Sequence, residues 1–372
     1  MRIPANGDGA IRRLDYTLLF LTAVLLVFGM IMVFSSSVIM AEARWQAPYH
    51  FIIKHIIWAA VGSVAMLGLS RYDYRKLQRL ARPLLIITVV LLLMVLVVGV
   101  KKGGARRWLQ FGPLGFQPSE IAKLVIVIVL ADYLDRKKSR MKSWPGLMPA
   151  LVVIGIFSGL IALEPDLGTP IIMVSVGLGL LYMGGARFKH ILLLAASVVP
   201  IVIMEILRKP YRLVRLRDYL HSWGDINSAS YQLNQSILAL GSGGFFGKGL
   251  AQSQMKLLYL PEPHTDFIFP IVGEELGFIG TTLLITVFIL VTLRGWQISR
   301  RSQDYFGSLL AAGITWLIAF QALLNMGVSS GLLPTKGLPL PFVSFGGTSL
   351  VFNLAGVGIL LNISQRLYVR NK

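Results

Sequence analysis

The run TLLFLTAVLLVFGMIMVFSS, Thr17 to Ser36, decides the class of this chain. Its 20 residues include no charged side chain. As a helix they rise about 30 Å, the thickness of a bilayer's hydrocarbon core. In lipid only helices and closed barrels satisfy every backbone N–H and C=O internally. Nine further apolar runs follow, at 53–69, 83–100, 119–134, 148–163, 168–184, 190–207, 266–293, 307–328 and 342–363. Only Glu164, Pro165 and Asp166 punctuate the fifth and sixth. The expectation is an all-α polytopic membrane protein of about ten transmembrane helices, with a large extracytoplasmic loop, 208–265, between helices 7 and 8.

Composition agrees. Of 372 residues 55% are hydrophobic and 14% charged, against roughly 25% charged in a soluble domain; mean hydropathy is +0.69. The net charge of +19 would suit nucleic acid, but its distribution follows topology instead. With a cytoplasmic N-terminal tail (1–16) and C-terminal tail (364–372), 21 Lys/Arg fall inside and 13 outside, Lys54 and Lys123 lying within spans. That is the positive-inside bias, and no nucleic-acid partner is expected. The absence of cysteine excludes disulfides, thiol catalysis and thiolate metal sites. A basic start and an apolar run before Ala41-Glu42-Ala43 outline a signal peptide. The run is too long for a signal core and nine spans follow, so it reads as a retained first helix. One integral membrane domain is expected.

The polar information gathers on the outer side. The 208–265 loop is too long for a plain connector. It contains YRLVRLRDYL, Tyr211 to Leu220, with Leu213, Leu216 and Leu220 at helical spacing and Arg212, Arg215 and Arg217 on the basic side. Such a segment lies in the membrane interface, its arginines available to anchor on headgroups or to bind a substrate phosphate. GSGGFFGKGL, Gly241 to Leu250, resembles a phosphate loop but fails its spacing: Ser242 stands where the first Gly belongs and Gly249 where Ser or Thr is needed. It reads as a flexible turn. LPEPHTDFIFPIVGEELG, Leu260 to Gly277, places His264 and Asp266 where the chain re-enters the membrane, with Glu274 and Glu275 in the next turns. A partly desolvated carboxylate there suits a general base, while Thr265 or Asp266 could simply cap the helix.

Other charges share that side. Glu120 and Lys123, three apart at a helix start, occupy one face as an ion pair. Asp166 in EPDLG is again suited to a cap. LPTKGLPLPFVSFGG, Leu333 to Gly347, has three prolines and repeated glycines that impose a non-helical path, with Lys336 its only charge. Four outer segments thus offer Arg107, Glu120, Lys123, Asp166, Arg212, Arg215, Asp266 and Lys336. The five His show no metal-ligand spacing, although Mg²⁺ shared between carboxylates and a substrate phosphate leaves little sequence trace.

Taken in order, GGARRW (Gly103 to Trp108), FQPSE (Phe116 to Glu120), PDLGT (Pro165 to Thr169), PYRLVR (Pro210 to Arg215), YLPEPHTDFIF (Tyr259 to Phe269), GEELG (Gly273 to Gly277) and LPTKGLPLPFVSFGG make a specific set. The chain resembles the SEDS proteins (shape, elongation, division and sporulation) from its first span to its last, and LPTKGLPLP favours the division type over the elongation type, with the sporulation type left open. One departure is Glu164, where the family usually has Gln. The resemblance implies a ten-helix glycosyltransferase of the bacterial cytoplasmic membrane that polymerises lipid II into glycan strands. It implies a class B penicillin-binding protein as transpeptidase partner, further divisome proteins, and a divalent cation, Mg²⁺ or Mn²⁺. It also implies that Asp266 is the catalytic base, with Arg107, Glu120, Lys123, Asp166 and Lys336 as further sensitive positions. Arg107, Arg212 and Arg215 are candidates to grip the leaving pyrophosphate. Two other classes remain on residues alone: a lipid II flippase, against which the one-sided polar groups and lack of inverted repeat weigh, and a scaffold that recruits the transpeptidase.

Overall fold

In the computed structural model, residues 14–102, 105–111, 114–164, 166, 168–208, 213–214, 216–217, 219–220, 231–256, 260, 263–334 and 337–367 are described. Each expected span folds as a helix: α1 (Tyr16–Trp45), α2 (His50–Arg71), α3 (Tyr74–Val98), α4 (Pro118–Lys137), α5 (Trp144–Leu163), α6 (Gly168–Met183) and α7 (Phe188–Leu207) precede the long loop, and α9 (Ile268–Arg301), α10 (Tyr305–Ser329) and α11 (Gly347–Leu367) follow it. A loop helix, α8 (Tyr231–Ser242), lies between. Among the described residues eight helices are long and apolar enough to cross a membrane. The two others differ for local reasons. At 16 residues α6 rises only about 24 Å, and α4 is charged at both ends, from Glu120 and Lys123 to Arg136 and Lys137.

Helix ends follow local chemistry. Asp15 accepts a hydrogen bond from Leu18 N at 3.0 Å and so caps α1; the same carboxylate is bound by Arg294 Nε of α9 at 2.8 Å. Pro118 opens α4, where its missing N–H costs nothing. α4 is buried on most sides, packed by α3, α6, α10 and α11. α10 and α11 are the most enclosed of the apolar spans, whereas α7 buries none of its apolar window and is left to face lipid.

Two features depart from the sequence reading. The segment before α4 is not a simple loop but a small antiparallel sheet in the order β1 (Val100–Lys102), β2 (Ala105–Phe111), β3 (Leu114–Phe116). The glycine segment 241–250 is not a flexible turn. α9 breaks at Gly277 (φ 67°, ψ −162°), and the segment pairs with the exposed backbone of that break. Lys248 N donates to Glu274 O at 2.9 Å, Gly249 N to Glu275 O at 3.0 Å, and Phe278 N to Gly244 O at 3.0 Å. A Cβ on Gly247 would lie 2.2 Å from Glu275 O, so the glycines serve close backbone approach rather than mobility.

Candidate active site

Asp266 sits two residues before α9, partly exposed. The cap position of α9 is Phe267, whose side chain makes no capping bond. Asp266 is held through its backbone: its carbonyl accepts a hydrogen bond from Asn325 Nδ2 of α10 at 2.8 Å. The same amide donates to Leu338 O at 2.6 Å, which draws the last outer segment against the aspartate. A Cβ on Gly337 would come 2.6 Å from Asp266 Oδ2, so glycine there leaves the carboxylate room without a shift.

His264 is buried and adds no acid–base group. Burial, with a smaller contribution from the Arg44 charge, pushes its imidazole down to about 4, so it is neutral at physiological pH. Its ring packs on Phe51 with centroids 4.1 Å apart, and its carbonyl accepts from Phe345 N at 2.9 Å. The HTD segment is thereby fixed to the last outer segment at a second point.

Arg107 lies on β2 and is partly exposed. Its Nη1 is 3.9 Å from Asp166 Oδ2, and its Nε donates to Glu164 O at 3.1 Å. Asp166 is buried and caps α6, as its sequence position suggests: Oδ1 accepts from Gly168 N at 2.9 Å and Thr169 N at 3.2 Å, and Oδ2 from Thr169 Oγ1 at 2.9 Å. Gly168 packs directly on Leu338, which its missing Cβ would otherwise strike. Glu120 and Lys123 form the expected pair, Lys123 Nζ to Glu120 Oε2 at 2.8 Å, although not at a hydrogen-bonding angle for Oε2. Both are buried, and Lys123 Nζ donates to Gln321 Oε1 at 2.8 Å. Gln321 in turn donates to Pro339 O at 2.9 Å. The pair is therefore a strut behind the 337–340 segment rather than an exposed phosphate clamp. Arg212, Arg215 and Lys336 lie outside the described residues.

Glu274 and Glu275 are not available as bases. Both are fully buried. Glu274 accepts from Lys248 Nζ at 2.8 Å, from Gln254 N at 3.0 Å and from Ser253 Oγ. Glu275 accepts from Ser35 Oγ of α1 at 2.6 Å and from Lys256 Nζ at 3.1 Å. The outer segments that carry Asp266, Arg107 and Asp166 thus meet around residues 337–340, on a backbone held by buried polar pairs.

A family model described as FTSW_RODA_SPOVE, cell cycle protein, matches residues 16–369. The chain belongs to that family. It is 39% identical over 360 residues to a probable peptidoglycan glycosyltransferase FtsW of Geobacter metallireducens, covering 96% of each chain. It is also 39% identical to stage V sporulation protein E of Bacillus subtilis, covering 94% of this chain and 97% of the relative. The fold matches Thermus thermophilus rod shape determining protein RodA with a TM-score of 0.71 and 27% identity, over 95% of this chain and 98% of that one. It matches a chain from a structure on coordination of polymerization and crosslinking by a peptidoglycan synthase complex with a TM-score of 0.79 and 26% identity, over the same shares.

For this FtsW/RodA/SpoVE family member, sequence reading missed Gln321 and Asn325. Their signal was present: amide side chains four apart in an otherwise apolar span lie on one face, and polar groups at membrane depth are rarely idle. It also missed that Lys248 and Lys256 answer the Glu274–Glu275 pair, because contacts 19 and 26 residues apart leave no periodic trace.

Proposed function

We propose that this protein is a peptidoglycan glycosyltransferase that polymerises lipid II into glycan strands for septal wall synthesis, with Asp266 as general base. The observation that carries the reading is the partly exposed Asp266, whose backbone is held by Asn325 and whose carboxylate lies beside Gly337, at the same end of the bundle as Arg107. Asp266 takes the proton from the 4-hydroxyl of the acceptor GlcNAc as that oxygen bonds to the donor's anomeric carbon. The bond from that carbon to the pyrophosphate oxygen breaks, and the lipid pyrophosphate leaves with both electrons. Arg107, with Arg212, Arg215 and Lys336, stabilises the departing charge. Asp166 orients Arg107, and Glu120 with Lys123 holds the 337–340 segment in place.

Among the described residues no three potential metal ligands converge. A divalent cation, Mg²⁺ or Mn²⁺, would be held chiefly by the substrate pyrophosphate with one or two carboxylates of the site, and would supply neutralisation of the leaving-group charge. The likeness to the synthase complex supports a class B penicillin-binding protein as transpeptidase partner, within the divisome. The site faces outward from the bacterial cytoplasmic (inner) membrane, both termini being cytoplasmic, as the charge bias supports.

The test is reconstitution of purified protein and its partner with labelled lipid II. Glycan chains should form, and Asp266→Asn should slow them by about 10²–10⁴-fold. Polymer at near wild-type rate from the variant would refute the base assignment. Protected translocation without polymer would identify a flippase, and neither activity a scaffold.

A further inference from the structure

At the end of the bundle away from Asp266, α3, α4 and α5 enclose a cavity of about 260 Å³. Lys123 of α4 is at the Asp266 end, bonded to Gln321, and Lys137 lies 14 residues further along the helix, roughly 20 Å away. The mouth of the cavity carries Arg82 from α3 and Arg136 and Lys137 from α4, all exposed. The rest of its lining is mostly apolar: Leu85, Val129 and Val153 come from three different helices, with Tyr133 beside them. The one acidic group there, Asp132, is buried and spoken for by Arg136 Nε at 2.7 Å. Arg82 and Lys137 make no ion pair with a described residue.

Topological sorting accounts for how many cations stand at this end, but it requires only their number near the membrane. It does not require two helices to converge their cations on one cavity while a third supplies an apolar wall. That combination has a matching ligand class. A phosphate diester at the mouth would answer Arg82 and Lys137, and acyl chains would run along Leu85, Val129 and Val153 into the bilayer. A free anion would use the cations and waste the walls. Basic pockets between transmembrane helices at the cytoplasmic leaflet bind anionic headgroups in this way.

We propose that this cavity is a binding site for an anionic phospholipid of the phosphatidylglycerol or diphosphatidylglycerol class, in the leaflet opposite the catalytic face. The site is independent of the glycosyltransferase reading.

The test is native mass spectrometry of the full chain in neutral detergent, titrated with phosphatidylglycerol or with phosphatidylcholine of identical acyl chains. The wild type should bind phosphatidylglycerol preferentially. The double variant Arg82→Gln/Lys137→Gln should weaken that binding about thirtyfold, since each interfacial cation is worth about a fivefold change. The control Arg79→Gln/Lys142→Gln removes two exposed cations of the same end that do not line the cavity, and should change binding less than about threefold. Equal losses in the two double variants, or no preference between the lipids, would overturn the proposal. Displacement of phosphatidylglycerol by millimolar inorganic phosphate would also overturn it, and would mark a free-anion site. Melting temperatures of both variants within a degree or two of wild type exclude misfolding as the cause.

Discussion

Replacing Glu164 by glutamine should stabilise the protein at alkaline pH and not at acid pH. Glu164 follows the last turn of α5, 1% exposed, and among the described residues neither carboxylate oxygen has a hydrogen-bond partner. Burial pushes its carboxyl up to about 8, the Asp166 charge adds to the rise, and Arg107 opposes it. The sign follows from linkage. Below the ordinary value of 4.5 both folded and unfolded chains hold the proton, and Glu164 has no pH-dependent effect. Between 4.5 and about 8 the unfolded chain has released the proton while the folded chain keeps it. Stability therefore falls by about 1.4 kcal/mol per pH unit across that window and levels off above it. At pH 7 the accumulated penalty is about 3 kcal/mol. Glutamine keeps the shape and carries no such penalty. Thermal melting of wild type and Glu164→Gln in the same detergent, at pH 5, 6, 7 and 8, should give nearly equal midpoints at pH 5 and a gap that widens steadily with pH in favour of the variant. A gap independent of pH, or one favouring the wild type at pH 8, would show that Glu164 is not a buried, unpaired carboxyl.

The remaining predictions concern what holds Asp266 in place. Asn325→Asp keeps the size of the side chain but loses the donor to Asp266 O and Leu338 O. Two carbonyls left without that donor cost about 2–5 kcal/mol, and lipid II polymerisation at saturating substrate should fall at least tenfold, an effect checked against melting temperature and absent if the 337–340 segment does not position the base. Glu275→Gln leaves the buried Lys256 ammonium without its counter-charge and should cost about 3–5 kcal/mol, whereas the double change Glu275→Leu/Lys256→Met should cost less than either single change; a thermal double-mutant cycle with additive losses would contradict the pairing. Gly277→Ala places a Cβ 2.3 Å from Gly247 N at a positive φ. It should expose the 241–256 segment to limited proteolysis, and an unchanged digestion pattern would mean that the segment is not clasped to the break in α9.

The ten apolar runs are legible because a bilayer imposes a single length and polarity on every crossing segment, whatever packs beside it. The same rule blurs where packing takes over. α4 tolerates a buried Glu120–Lys123 pair because Gln321 meets it, and that partner is 198 residues away in the chain. The small sheet before α4 was hidden by short, Gly-interrupted strands, and the glycine segment 241–250 was misread because its requirement for glycine comes from a distant helix break. Asp266 could be named from its motif and its place at a membrane boundary, but nothing local shows what aims it.

What aims it is one face of α10. Gln321, Asn325 and Ser329 succeed one another at four-residue intervals, the spacing that keeps side chains in line along a helix. Gln321 joins Lys123 to Pro339 O, and Asn325 joins Asp266 O to Leu338 O. Ser329 O receives Ser236 Oγ from α8 at 2.6 Å. Four outer segments far apart in sequence are thus registered against one rigid helix, mostly through backbone carbonyls. A catalytic carboxylate on a loop needs such a scaffold, because a geometry error near 1 Å forfeits most of what proximity contributes. Backbone-directed bonds constrain the path of the segments and not the side chains they carry. The side chains of those segments can accordingly vary, as at the buried Glu164, while the α10 amides keep Asp266 where it is.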